Sequence, residues 1–135
     1  MRWYPHLAFD GQCVAAFPFY ERCLGGKIVT MLTWADSPMA QQAPDGFGEK
    51  ILHATLMVGD NMLAGSDSLP GQYEAAKGFH IQLNVDDPVE AERIFNALAE
   101  NGKVQMPFQK TFWAVGFGVL TDPFGISWEI NCEPK

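Results

Sequence analysis

One plan is written twice along this chain, and the repeat restricts the folds open to it. His6 heads an apolar run and a helical stripe follows. Gly25-Gly26 stops the stripe, and Gly26-Lys27-Ile28-Val29 opens the next run. In the second half His80 heads a run, Asp87 starts a helix, and Gly102-Lys103-Val104 opens the next run. His6 lies 20 residues before Gly26, and His80 lies 22 before Gly102. Each half then closes in a strand–turn–strand, the first around Gly59-Asp60 and the second around Asp122-Pro123-Phe124-Gly125. The plan of each half is therefore β-α-β-β-β. A single helix covers only one face of such a sheet, so a second face is left to line a cavity. The expected fold is α+β: two βαβββ modules forming a curved, cup-like mixed sheet with helices on the outside. Module one covers about residues 1–68, a linker 69–77, and module two about 78–135, within a single domain.

In the first module Tyr4 to Asp10 reads as a strand, with Asp10 able to cap the helix that follows. Cys13, Ala16, Phe17, Tyr20 and Leu24 recur at helical spacing, with Pro18 inside the pattern as a source of a kink or a lost bond. Lys27 to Trp34 is a strand. Ala35 to Glu49 is turn-rich and irregular, read either as a lid or as a floppy excursion. Ile51 to Val58 and Met62 to Gly65 read as strands, the second fading in Ser66-Asp67-Ser68. That last stretch reads as a turn or cap, because no histidine lies at a spacing that would mark Ser66 as a nucleophile.

In the second module Phe79 to Val85 alternates, with His80, Gln82 and Asn84 on one face. Asp87-Pro88 is an N-cap followed by proline at the first helical position. Ala91, Ile94, Phe95 and Leu98 form the buried stripe. Lys103 to Met106 is a short strand, and Pro107 to Lys110 a connector. Phe112 to Asn131 reads as a hairpin rich in β-branched and aromatic residues. Ile126, Trp128 and Ile130 share one face of its second strand, and Ser127 and Glu129 the other. Glu129 is thus a carboxylate in an apolar strand. Either its face meets water or the charge needs a partner.

Composition excludes several classes of function. With 47 % hydrophobic and 19 % charged residues the chain is ordinary globular material. A net charge of -7 with singly scattered basic residues argues against nucleic acid. No apolar run approaches the roughly 18 residues of a membrane span. Met1 to His6 shows no signal-peptide core, and Cys13, Cys23 and Cys132 cannot all pair, which together suit a reduced, cytoplasmic protein. Gly116-Phe117-Gly118 has no strand-to-helix context, so it does not read as a phosphate loop.

The paired modules resemble the vicinal oxygen chelate superfamily, which includes glyoxalase I, extradiol dioxygenases and fosfomycin-resistance proteins. The resemblance is to its PhnB-like branch, which often carries a 3-demethylubiquinone-9 3-methyltransferase label. It rests on Pro5-His6-Leu7-Ala8-Phe9, Phe19-Tyr20, Leu24-Gly25-Gly26, His53-Ala54, Ser66-Asp67, Phe112-Trp113-Ala114, Asp122-Pro123-Phe124-Gly125 and Trp128-Glu129-Ile130-Asn131. It implies a divalent metal (Zn, Ni, Mn or Fe) held by His6, His80 and Glu129, with Glu129 also catalytic. The position for a fourth ligand falls in Met62-Leu63-Ala64-Gly65, which offers none. The implied activity is lyase, isomerase or oxygenase chemistry on a small molecule chelated through adjacent oxygens. The alternative is a metal-free protein binding an antibiotic-like or aromatic ligand. His53, Trp113, Phe117 and Trp128 are the expected pocket residues, and a homodimer is the expected assembly. A true methyltransferase is not expected, since no glycine-rich loop joins a strand to a helix.

Overall fold

The computed structural model describes residues 1–135, which form two compact units, Met1–Glu74 and Ala75–Lys135. The first holds β1 (His6–Phe9), α1 (Cys13–Leu24), β2 (Lys27–Thr33), β3 (Ile51–Val58) and β4 (Asn61–Asp67). The second holds β5 (Ile81–Asn84), α2 (Pro88–Ala99), β6 (Lys103–Gln109), β7 (Gly116–Thr121) and β8 (Ser127–Cys132). Each is a βαβββ module with a four-stranded mixed sheet, ordered β1-β4-β3-β2 in one and β5-β8-β7-β6 in the other. In both, the first strand pairs parallel to the last and the remaining pairs are antiparallel. This α+β architecture is the one the repeat implies.

In the first unit α1 is entered without a local cap. Gln12 stands at the N-cap and makes no side-chain capping bond. The cap comes from β4 instead of from Asp10: Asp67 Oδ1 accepts the Cys13 N–H at 3.0 Å, and Oδ2 accepts the Ile51 N–H at 2.8 Å. A buried carboxylate satisfied by two backbone donors at a helix N-terminus avoids most of the cost of an unpaired charge. The helix then runs through Pro18, whose missing N–H leaves the Val14 carbonyl without its helical donor. It ends at Gly25, whose φ of 74° is the left-handed conformation glycine adopts freely. The buried face is Cys13, Ala16, Phe17, Tyr20 and Cys23. Cys23 takes the place expected of Leu24, which is half-buried.

The 35–49 excursion is folded onto itself. The Trp34 and Phe47 rings lie 6.3 Å apart and both are buried. Ala35 N–H donates to the Gly48 carbonyl at 2.9 Å, and Ser37 Oγ donates to the Trp34 carbonyl at 2.8 Å.

In the second unit Asp87 accepts the Val89 N–H at 3.3 Å, with Pro88 opening α2. Ala91, Ile94, Phe95 and Leu98 are its buried stripe. β6 runs on to Gln109, so Pro107 lies inside a strand and not in a connector. The strand is at the sheet edge, where a missing N–H forfeits no ladder bond. The core face of β7 is Gly116, Gly118 and Leu120, while Phe117 and Val119 point the other way. The glycines make room for rings: a Cβ on Gly118 would stand 2.6 Å from Phe95 Cε2, and one on Gly116 would meet Phe108. In the β7–β8 turn Asp122 Oδ1 accepts the N–H groups of Phe124 (2.8 Å) and Ile126 (3.1 Å), while Gly125 has a φ of 88°.

Candidate functional site

In the second unit α2 covers one face of the sheet, and Glu129 and Phe117 stand on the other. Parallel pairing sets Gln82 beside Glu129 and Asn84 beside Asn131. The His80 side chain reaches Glu129, with Nδ1 to Oε1 at 3.6 Å, and the two side chains are 40 % and 27 % exposed. Glu129 is therefore both partnered and partly wet, which answers how its strand tolerates a carboxylate. Asn84 Oδ1 accepts from Gln82 Nε2 and from Asn131 Nδ2, each at 3.1 Å. Asn131 is buried, and its own Oδ1 has no hydrogen-bond partner.

Aromatic groups border this polar row. On β7, Phe117 lies across from Asn131 and Val119 across from Glu129. The Trp113 ring meets Phe117 edge-on at 5.2 Å, and Phe112 meets Trp113 at 4.7 Å. Phe112 and Trp113 are both exposed, and Thr111 Oγ1 holds their segment by accepting the Ala114 N–H at 3.0 Å. Trp128 is placed differently from the wall position expected of it. It lies on the helix side of β8, is fully buried, and donates its indole N–H to Asp122 Oδ2 at 2.9 Å. Its neighbours in the strand pattern are core residues because the two-residue period puts it with Ile126 and Ile130, away from Glu129.

In the first unit the face away from α1 carries His6, His53 and Ser66. His6 on β1 aligns with Ala64 on β4, and Ala8 aligns with Ser66. His6 Nε2 and Ser66 Oγ are 3.1 Å apart, a hydrogen bond. The His53 ring, on β3, stacks near His6 with centroids 6.4 Å apart and planes 22° from parallel. Partial burial, and then the neighbouring His53, hold the His6 imidazole below its usual range and favour its neutral form. The His6–Ser66 contact escaped the sequence reading because 60 residues separate the two. Only the parallel β1–β4 pairing brings them together. The cysteines are unbridged and buried. Burial, and then Asp67, push the Cys13 thiol up to about 12, so it stays protonated and is no nucleophile.

Residues 3–130 match the family model of the Glyoxalase/Bleomycin resistance protein/Dioxygenase superfamily. The chain belongs to that superfamily. Among superfamily relatives, Protein YjdN of Escherichia coli (strain K12) is 35 % identical, over 94 % of this chain and 92 % of its own. The crystal structure of protein PA1353 from Pseudomonas aeruginosa superposes with a TM-score of 0.92 at 48 % identity, covering 100 % of this chain and 99 % of that one. A Bacillus cereus PhnB protein labelled as a 3-demethylubiquinone-9 3-methyltransferase superposes at 0.82, with 21 % identity over 98 % and 99 % of the two chains; it shares the fold.

Superfamily members often bind a divalent metal, and the donor types of His6, His80 and Glu129 suit one. The arrangement within each unit does not. His6 Nε2 is engaged with Ser66, and the β4 residue aligned with it is Ala64, which brings a methyl group and no donor. His80 and Glu129 make one pair. In neither unit do three or more His, Cys, Asp or Glu side chains gather to hold an ion. Protein metal centres ordinarily use three or four such ligands, so the donors of neither unit fit one.

Proposed function

We propose that the protein binds a small organic molecule, aromatic in part, without needing a metal, on the helix-free face of its second unit. The observation that carries this reading is the row of His80, Glu129 and Asn131 beside the Phe117–Trp113 pair. Rings recognise a flat apolar body, and a few convergent polar groups orient it, the usual composition of a small-molecule site. Glu129 accepts a hydrogen bond from the ligand and favours one carrying an N–H or a positive charge. Superfamily membership supports small-molecule binding in general terms, and solved relatives include a fosfomycin-resistance protein from Mesorhizobium loti. No helix is long and apolar enough to cross a membrane. A cytoplasmic homodimer completes the proposal.

The test is thermal denaturation with a panel of aromatic amines and antibiotic-like compounds, with and without chelator. A true ligand at a hundredfold excess over its Kd adds about 2.7 kcal/mol to stability. The same rise in Tm is expected in both conditions, and its loss in Phe117→Ala and Glu129→Gln. The second reading is divalent-metal lyase, isomerase or oxygenase chemistry, favoured by the imidazole and carboxylate donor types of His6, His80 and Glu129. One tightly held ion per chain, released in Glu129→Ala, would establish it and overturn the first. Light scattering tests the dimer.

A further inference from the structure

We propose that Ser66 and His6 form a nucleophile–base pair able to cleave activated esters without a metal. A serine hydroxyl is a weak nucleophile until an adjacent base accepts its proton. His6 Nε2 stands 3.1 Å from Ser66 Oγ, within the range such a transfer requires. With the imidazole proton on Nδ1, Nε2 is the acceptor and the hydroxyl is the donor.

The setting supports this role in three ways. Both residues are on paired strands, so their separation is fixed by a hydrogen-bonded ladder and not by a loop. Ala64, aligned with His6, carries no group that competes for Nε2. His53 lies beside the imidazole, its ring 6.4 Å away and 22° from parallel. His6 and His53 are exposed and Ser66 half-buried, so a substrate carbonyl can reach the hydroxyl.

The step balances with the groups present and water. Ser66 Oγ bonds to the ester carbonyl carbon while its proton passes to His6 Nε2. The carbon–oxygen bond to the leaving alcohol breaks, and the alcohol departs with that proton. Water then attacks the acyl-Ser66 carbonyl, giving one proton to His6. The acid leaves, and the proton returns to Oγ. An aryl ester, whose leaving group needs little help, is the substrate class this pair serves. The inference stands apart from ligand binding in the second unit, since all its residues lie in the first.

The experiment uses the full chain with p-nitrophenyl acetate and, separately, a fluorophosphonate probe. Hydrolysis is expected to fall about 100-fold in both Ser66→Ala and His6→Gln, the scale of general-base assistance. The probe is expected on the Ser66 peptide of the wild type, and more slowly in His6→Gln. Absence of probe on that peptide overturns the proposal. So does hydrolysis that falls in His6→Gln but not in Ser66→Ala, because the imidazole would then act alone. As a check independent of Ser66→Ala folding, iodoacetamide is applied to Ser66→Cys. Alkylation there should be faster than in the Ser66→Cys/His6→Gln double variant, and equal rates would sink the pairing.

Discussion

Asp122 accepts the indole N–H of Trp128 at 2.9 Å from the far side of the turn that joins β7 to β8. The same carboxylate accepts two turn N–H groups through its other oxygen. One buried side chain thus shapes the hairpin turn and orients the largest core residue of the second unit. Asp122→Ala strands those donors, and hydrogen bonds to charged groups are worth about 1.5–3 kcal/mol each, not fully additive. A loss of about 3 kcal/mol in urea unfolding is expected. A change under about 1 kcal/mol would show that the turn holds without Asp122.

Asp67 plays a comparable part in the first unit, joining the start of α1 to β3. Asp67→Ala should cost about 2 kcal/mol, a capping loss plus an unpaired buried donor. Asp67→Asn should cost less, since the amide oxygen still accepts one bond. Denaturant midpoints for the two variants decide the order.

Buried thiols, with Cys13 held protonated, should be silent to a thiol reagent in the native protein. All three of Cys13, Cys23 and Cys132 should react once the chain is denatured. Rapid native reaction at Cys13 would contradict its placement against Asp67.

Gly118→Ala drives a methyl group into the Phe95 ring. Overpacking of this kind costs about 1–3 kcal/mol. Adding Phe95→Leu should recover part of the loss, and a double-mutant cycle measures the coupling.

His6 sets a pH dependence. Its folded-state value lies below the unfolded 6.5, so the native protein binds fewer protons here than the unfolded chain. The contribution of His6 to stability is therefore full above 6.5 and is lost as pH falls from 6.5 through the lowered native value. The Tm difference between wild type and His6→Gln should move against the wild type over that interval and be constant above it. A difference independent of pH between about 5 and 8 would refute the cause assigned.

Much of the architecture was legible residue by residue. Asp87-Pro88 names its own helix start, and the Ala91, Ile94, Phe95 and Leu98 stripe is the one α2 buries. Ile126, Trp128 and Ile130 share the core face of β8 as their alternation requires. The cap of α1 was not legible, since its acceptor comes from Asp67, far along the chain, and not from the adjacent Asp10. Pro107 concealed the length of β6, because a proline is tolerated only where a strand lies at an edge, and edge position is a property of the sheet. β7 was also misleading. Its apolar residues Phe117 and Val119 face away from α2, and two of its three core positions are glycines, Gly116 and Gly118, filled by rings from elsewhere.

By itself, then, the sequence determined the two βαβββ modules, since local periodicity, capping residues and turn chemistry act over a few positions and repeat in each half. It also determined which side chains share a face, because a strand alternates with a period of two. Tertiary structure alone decided who meets whom. Parallel pairing of first and last strands set His6 against Ser66 and His80 near Glu129, through contacts 60 and 49 residues apart along the chain, and no local rule carries that register.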